Sequence, residues 1–193
     1  MPRILAFVML MACAGCAVGP AQNLNVQPNE AAVIGKISII YNGDDVTENA
    51  QVLFNEHVWG SYAYLVPKDG WIVTKLPLGQ NNLDRLVFAR FLRGVYHHDF
   101  TSQQTGFTLT DNQHVNYIGH IVVNWNGTGF KPSQLFGLVG AVIDEMSSDG
   151  QLQLAVKNEQ PEAVRKVKEQ YGIDAPLVAS LVGGQAAVAL NVN

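Results

Sequence analysis

A chain of 193 residues, with 48% hydrophobic and 15% charged residues, can bury one sizeable core, so a single domain is the simplest expectation. Its 12 Lys and Arg against 16 Asp and Glu give a formal net charge of −4, and no basic stripe runs along the sequence. We therefore expect no nucleic-acid partner, because nucleic-acid binding requires a concentrated positive charge.

The first residues have the order of an export signal. Arg3 precedes an apolar run over residues 4–12, and the small residues Ala14 and Gly15 stand directly before Cys16. The run is too short to span a bilayer, which requires about 20 apolar residues. Both cysteines of the chain lie in this segment, so disulfides are not expected in the part that follows.

The stretch MACAGCA resembles the lipobox of bacterial lipoproteins. The resemblance implies a signal peptide over residues 1–15, removal of that peptide, and acylation of Cys16. Cys13 departs from the pattern, since Leu is expected three residues before the acylated cysteine. If the lipobox is instead the stretch LMAC, Leu10 stands at the expected position three residues before Cys13, and Cys13 would carry the lipid. A conventional cleaved signal is a third interpretation.

Two or three acyl chains would attach the protein stably to a membrane. Ala17, rather than Asp, follows Cys16, which in the enterobacterial sorting rule of this family implies the outer membrane. Residues 16–29 are polar and contain two prolines, so they are predicted to be a lipidated, flexible tether. The folded domain is predicted over residues 30–176.

Short β-branched and aromatic runs follow at roughly 8–12-residue spacing. They are separated by turn signals, among them Asn42-Gly43 and the PKDG stretch over residues 67–70. Predicted strands include residues 33–41, 58–66, 71–77, 114–125, 138–146 and 151–158. This pattern predicts a mainly β domain, an antiparallel β-sandwich.

One helix is predicted near residues 161–171. Pro161 suits the first helical turn, and Gly172 suits the residue that ends the helix. Glu162 with Lys166, and Arg165 with Glu169, have the spacing of intrahelical ion pairs. The apolar residues 177–193 are predicted to be a last strand or a tail.

A weaker similarity covers residues 34–170. The stretches LPLG and YIGHIVVNW resemble the carboxypeptidase-regulatory or transthyretin-like β-sandwich modules of envelope lipoproteins. The matching positions are Leu76, Pro77, Gly79, Tyr117, Ile118 and Gly119. The resemblance implies a non-catalytic module and transfers no site, because turns and sheet packing alone account for these residues.

The weak metal-ligand candidates are His97, His98 and Asp99. Neighbouring residues of a strand point to opposite faces, so His97 and His98 cannot both bind one ion in a regular strand. Ser61, His57 and Asp69 have the residue types of a catalytic triad, but almost any chain of this length contains such a combination. We expect no catalytic residue and no cofactor.

Four aromatic residues around a predicted hairpin, Trp59, Tyr62, Tyr64 and Trp71, are candidates for contact with a glycan or a protein partner. The alternative is that they belong to the sandwich core.

The sequence therefore predicts an outer-membrane lipoprotein, facing the periplasm or the surface, that acts as a non-catalytic binding or structural component of the envelope. Its predicted partners are the membrane, through the acyl chains, and an envelope protein. A peptidoglycan-binding module, or a metal-dependent periplasmic enzyme using His97, His98 and Asp99, are the alternatives.

Overall fold

The computed structural model describes residues 20–48, 50–55, 62–90, 94–127, 150–174, 176–184 and 190–192, with the backbone alone at residues 62, 94 and 190–192. Within these ranges the chain forms two β-sheets, a short helix and a longer helix near the end. The predicted class, a mainly β sandwich with a short C-terminal helix, is confirmed. The antiparallel pairing expected for it is found in the other described strand pairs, but two pairs of the larger sheet are parallel.

The larger sheet is built around two long strands that run parallel to each other, β1 (Glu30–Tyr41) and β9 (Asn116–Asn126). On one side of β1, β5 (Trp71–Pro77) and the two-residue β2 (Asp44–Asp45) pair with it antiparallel. On the side of β9 lie β10 (Gln151–Lys157), β11 (Val178–Ala179) and, beyond β10, β12 (Leu190–Val192).

The smaller sheet is antiparallel throughout its described pairs. Its order is β4 (Tyr62–Leu65), β3 (Gln51–Phe54), β6 (Gly79–Arg90) and β7 (Gly94–Asp99). Helix α1 (Ser102–Thr105) leads into β8 (Gly106–Leu109), which pairs with the first part of β6. The long β6 therefore joins both parts of this sheet.

The main core lies between the two sheets and is rich in aromatic rings. Tyr41 and Trp125 of the larger sheet meet Phe88 and Tyr96 of the smaller one, with ring centroids 4.8–5.7 Å apart. Phe88 and Tyr96 are stacked, while the other pairs are tilted or edge-on. Such pairs add about 0.5–1.5 kcal/mol beyond the burial of their area.

Helix α2 (Gln160–Tyr171) covers part of the outer face of the larger sheet. Ala163 and Val167 are buried against Ile34 and Tyr117 in a second apolar cluster. The chain reverses at Gly172, whose φ of 69° lies in the left-handed region where glycine is favoured. The predicted helix and its end are confirmed.

Both predicted turns are confirmed as well. Asn42 and Gly43 have φ angles of 50° and 86° and connect β1 to β2. Gly70 has a φ of 75°, and its N–H donates to the Pro67 carbonyl at 2.9 Å.

The strand predicted over residues 138–146 lies outside the described residues. Across the described ranges, no helix has both the length and the apolar character needed to cross a bilayer.

Candidate functional site

A β-bulge in β9 sets the direction of the His120 side chain. Ile34 of β1 is opposite Tyr117, but Lys36 is opposite His120, so β9 contains one more residue than β1 in this interval. Gly119 has a φ of 100°, which glycine adopts without strain. The extra residue reverses the alternation: Ile118 faces the main core, and His120 faces outward.

On this outer face three side chains from different elements form a hydrogen-bonded chain. Ser38 Oγ of β1 lies 2.9 Å from Nε2 of His120. His120 Nδ1 lies 2.8 Å from Oε2 of Glu159, the residue that precedes helix α2. Because a carboxylate only accepts hydrogen bonds, Nδ1 carries a proton, and in the tautomer with Nε2 unprotonated that nitrogen accepts the Ser38 hydroxyl proton.

The backbone around Glu159 holds its carboxylate in position. The Glu159 N–H donates to the Tyr117 hydroxyl at 2.9 Å, and its carbonyl accepts the N–H of Glu162 at 3.0 Å. His120 is only 8% exposed, while the Glu159 side chain is about one-third exposed. The imidazole is therefore fixed between a strand hydroxyl and a carboxylate at the start of a helix.

Charged groups surround these two hydrogen bonds. Lys36, in register with His120, donates to the Glu162 carboxylate at 3.1 Å, and this bond lowers the pKa of Glu162. Lys157 of β10 is in register with His120 on its other side and is exposed. Two ammonium groups thus lie on strands that flank the histidine.

Helix α2 covers only one end of the outer face. Beyond Ser38 the same face carries Ile40, Val122 and Ala155, which are partly exposed, and Val122 is in register with both Ser38 and Ala155. We refer to Ile40, Val122 and Ala155 as the apolar strip. Ser38, itself partly exposed, lies where the strip begins.

The predicted aromatic contact residues do not form an exposed surface among the described side chains. Tyr64 is 2% exposed and Trp71 is 7% exposed. The Tyr64 hydroxyl donates to the Trp71 carbonyl and accepts the Val73 N–H, both at 3.1 Å, and burial raises its pKa to about 12. A buried ring has no face for a sugar, so these two side chains stabilise packing. Trp59 and the side chain of Tyr62 lie outside the described residues.

The metal candidates occupy one edge strand and do not converge. His98 points into the core, Asp99 is exposed and hydrogen-bonded to Arg85, and His97 is partly exposed. This follows the alternation of a strand, since consecutive side chains point to opposite faces. In the part of the chain that the structure describes, no three His, Cys, Asp or Glu side chains are grouped as metal ligands. His57 and Ser61 lie outside it.

Cys13 and Cys16 lie outside the described residues, but part of the predicted tether does not. The Ala21 N–H donates to the Val73 carbonyl at 2.9 Å, and the Tyr171 hydroxyl donates to the Ala21 carbonyl at 2.7 Å. Leu24 and Val26 pack against the outer apolar cluster. The segment is thus attached to the domain well before Glu30.

Sequence reasoning did not find the chain of Ser38, His120 and Glu159. Three polar residues separated by 82 and 39 positions have no spacing motif. One signal was available: a glycine inside a strand pattern indicates a bulge, and Gly119 stands next to a histidine. That signal could identify His120 but not its partners.

No family model matches the chain, and no curated protein matches it. Among solved structures, the crystal structure of a DUF3823 family protein from Parabacteroides merdae is similar, with 17% sequence identity and a TM-score of 0.25. The match covers 52% of this chain and 46% of that one, so the chain spans less than half of that protein's length. At this TM-score the similarity supports no assignment of a site.

Proposed function

We propose that the chain is an outer-membrane lipoprotein whose β-sandwich domain serves as a binding or structural component of the cell envelope, without catalysis in that role. The observation that carries the proposal is the order of residues 1–16: one positive charge, a short apolar run, two small residues and a cysteine. Acyl chains on Cys16 would hold the domain at the membrane surface.

The docked segment adds a geometric consequence. With Ala21 hydrogen-bonded to Val73 and Tyr171, only Ala17, Val18 and Gly19 stand between Cys16 and Pro20. An extended chain covers at most about 3.5 Å per residue, so the lipid would lie within about 15–20 Å of the domain. A tether this short gives a high local concentration near the bilayer, where a modest interface is enough to hold a partner.

The anchor is tested by metabolic labelling with a clickable palmitate analogue, followed by membrane fractionation. We expect the wild-type protein to be labelled and to fractionate with the outer membrane, Cys16→Ala to lose the label, and Cys13→Ala to keep it. Label lost only in Cys13→Ala would move the anchor to that residue. An unlabelled, soluble wild-type protein would contradict the proposal.

For the protein partner, we propose contact through the edge of the smaller sheet. Within the described ranges β7 is paired on one side only, by β6, and Val95 on this strand is 53% exposed. An unpaired strand edge can accept a strand from another chain. A photo-crosslinking residue at Val95 should therefore capture a discrete envelope protein that the same residue at exposed Glu169 of α2 does not. Equal capture at both positions would contradict this interface.

A further inference from the structure

Beyond the anchoring and binding role, we propose that Ser38, His120 and Glu159 form a nucleophilic site that accepts the acyl group of a carboxylic ester. The relation of the three side chains is that of a serine, a histidine base and an orienting carboxylate, which unrelated folds share by geometry and not by sequence order. The two contacts, of 2.9 and 2.8 Å, have the required polarity when Nδ1 is protonated and Nε2 is not.

The chemical step follows from that polarity. Ser38 Oγ attacks the ester carbonyl carbon while its proton passes to Nε2 of His120, and a tetrahedral oxyanion forms. As the oxyanion collapses, the bond to the alkoxy group breaks and the alkoxide takes the proton from Nε2, leaving an acyl-serine and an alcohol. A water molecule then gives a proton to Nε2 as its oxygen attacks the acyl carbon. The bond from that carbon to Ser38 Oγ breaks, Oγ takes the proton from Nε2, and the carboxylic acid is released.

Glu159 acts here as a positioning residue. Its carboxylate holds the proton on Nδ1 and stabilises the imidazolium that forms when Nε2 receives the Ser38 proton. Lys36 is two residues before Ser38 on the same face of β1, and its ammonium is held by the Glu162 carboxylate at 3.1 Å and by the Trp71 ring, whose centroid is 5.4 Å away.

Two features favour a reactive site over a simple cross-link between strands. The bulge at Gly119 turns His120 away from the core, and bulges of this kind are common next to active sites. In addition, Ser38 is partly exposed at the boundary between the helix-covered part of the face and the apolar strip. A cross-link alone does not require the serine to be partly exposed.

The apolar strip indicates the class of substrate. Ile40, Val122 and Ala155 form a shallow, partly exposed surface beside Ser38. Such a surface suits a short, uncharged acyl group lying flat on the sheet, and we therefore infer an ester of a small carboxylic acid.

The test uses the full-length chain in detergent, with a fluorophosphonate probe and with p-nitrophenyl acetate. We expect the probe to modify Ser38, as located by peptide mass spectrometry, and Ser38→Ala to lose both labelling and ester hydrolysis. Ser180→Ala is the matched control, since Ser180 is a partly buried serine that hydrogen-bonds Asn116 at the same sheet. It should react like the wild-type chain.

The roles of the other two residues are tested with His120→Gln and Glu159→Gln, which should lower the acylation rate by about 100-fold or more. Glu159→Asp should recover part of the rate, which a purely structural role of Glu159 would not predict. If His120→Gln unfolds, Glu159→Gln carries the test, because that side chain is about one-third exposed. No modification of Ser38 in the folded wild-type chain, or a rate unchanged in Glu159→Gln, would overturn the proposal while leaving the palmitate result unaffected.

Discussion

Replacing His98 should stabilise the protein, and the gain should grow in acid. His98 is 8% exposed, and among the described residues neither ring nitrogen has a hydrogen-bond partner. Its ring lies 4.9 Å from Phe100 and 5.8 Å from Trp125, measured between centroids. A buried polar group without a partner costs about 1–3 kcal/mol. Leucine has a similar volume and no polar atom, so His98→Leu should raise the free energy of unfolding at pH 8 by about 1 kcal/mol.

The pH dependence follows from the pKa of His98. Burial lowers this pKa, Asp99 opposes the shift, and His97 adds to it. The unfolded chain, with a histidine pKa of about 6.5, therefore binds more protons than the folded chain in the window below that value. This histidine therefore leaves the free energy of unfolding unchanged above about pH 6.5. As the pH is lowered from about 6.5 towards the pKa of His98 in the folded chain, the free energy of unfolding decreases by at most about 1.4 kcal/mol per pH unit.

Urea unfolding followed by tryptophan fluorescence measures this effect between pH 8 and about pH 5. His98→Leu should lack the part of the acid slope that the wild-type chain shows, and the gap between the two curves should widen by up to about 2 kcal/mol. His97→Gln is the control, because this neighbour faces the other side of the strand, and it should keep most of the slope. Parallel curves for wild type and His98→Leu would refute the reasoning.

Three further outcomes are expected in the same unfolding assay. Gly119→Ala should be more destabilising than Gly79→Ala by about 1 kcal/mol or more. Both residues have a φ of 100°, but only an alanine at position 119 would place its Cβ 2.5 Å from a side-chain carbon of Val156. Equal destabilisation by the two substitutions would contradict the steric argument. Asn81→Ala should lower the free energy of unfolding by about 2–3 kcal/mol, since this fully buried amide donates to two backbone carbonyls and accepts from Asn55. A change below about 0.5 kcal/mol would show that these hydrogen bonds do not stabilise the fold. Glu162→Gln should change stability by less than about 1 kcal/mol, because its ion pair is partly exposed; a larger loss would indicate that the pair is more important than its exposure implies.

Local chemistry made several elements predictable from the sequence. Asn42-Gly43 and the Pro67–Gly70 turn require positive φ angles that few residues adopt, and Pro161 and Gly172 define the ends of a helix through backbone geometry alone. These signals depend on neighbours within a few residues. Tertiary packing does not need to be known to use them.

Ion pairs were less predictable because long side chains choose among partners in space. Glu162 has the spacing to pair with Lys166 along the helix. In the folded chain Glu162 pairs with Lys36 of β1, and Lys166 pairs with Asp69 in the turn before β5, at 2.8 Å. Both pairs join the helix to the sheet, and their existence depends on where the helix docks.

The sequence by itself determined the fold class, the turns and the ends of helix α2, because each depends on local backbone preferences or on a contiguous pattern. The anchor at Cys16 also follows from a contiguous pattern and stays a prediction. Only the tertiary structure decided which face each side chain of β9 occupies, since one extra residue at Gly119 reverses the alternation of everything after it. That reversal brings His120 to Ser38 and Glu159, and it buries Trp125 in the core. A candidate site assembled from three distant positions exists only once strand register and helix docking are fixed.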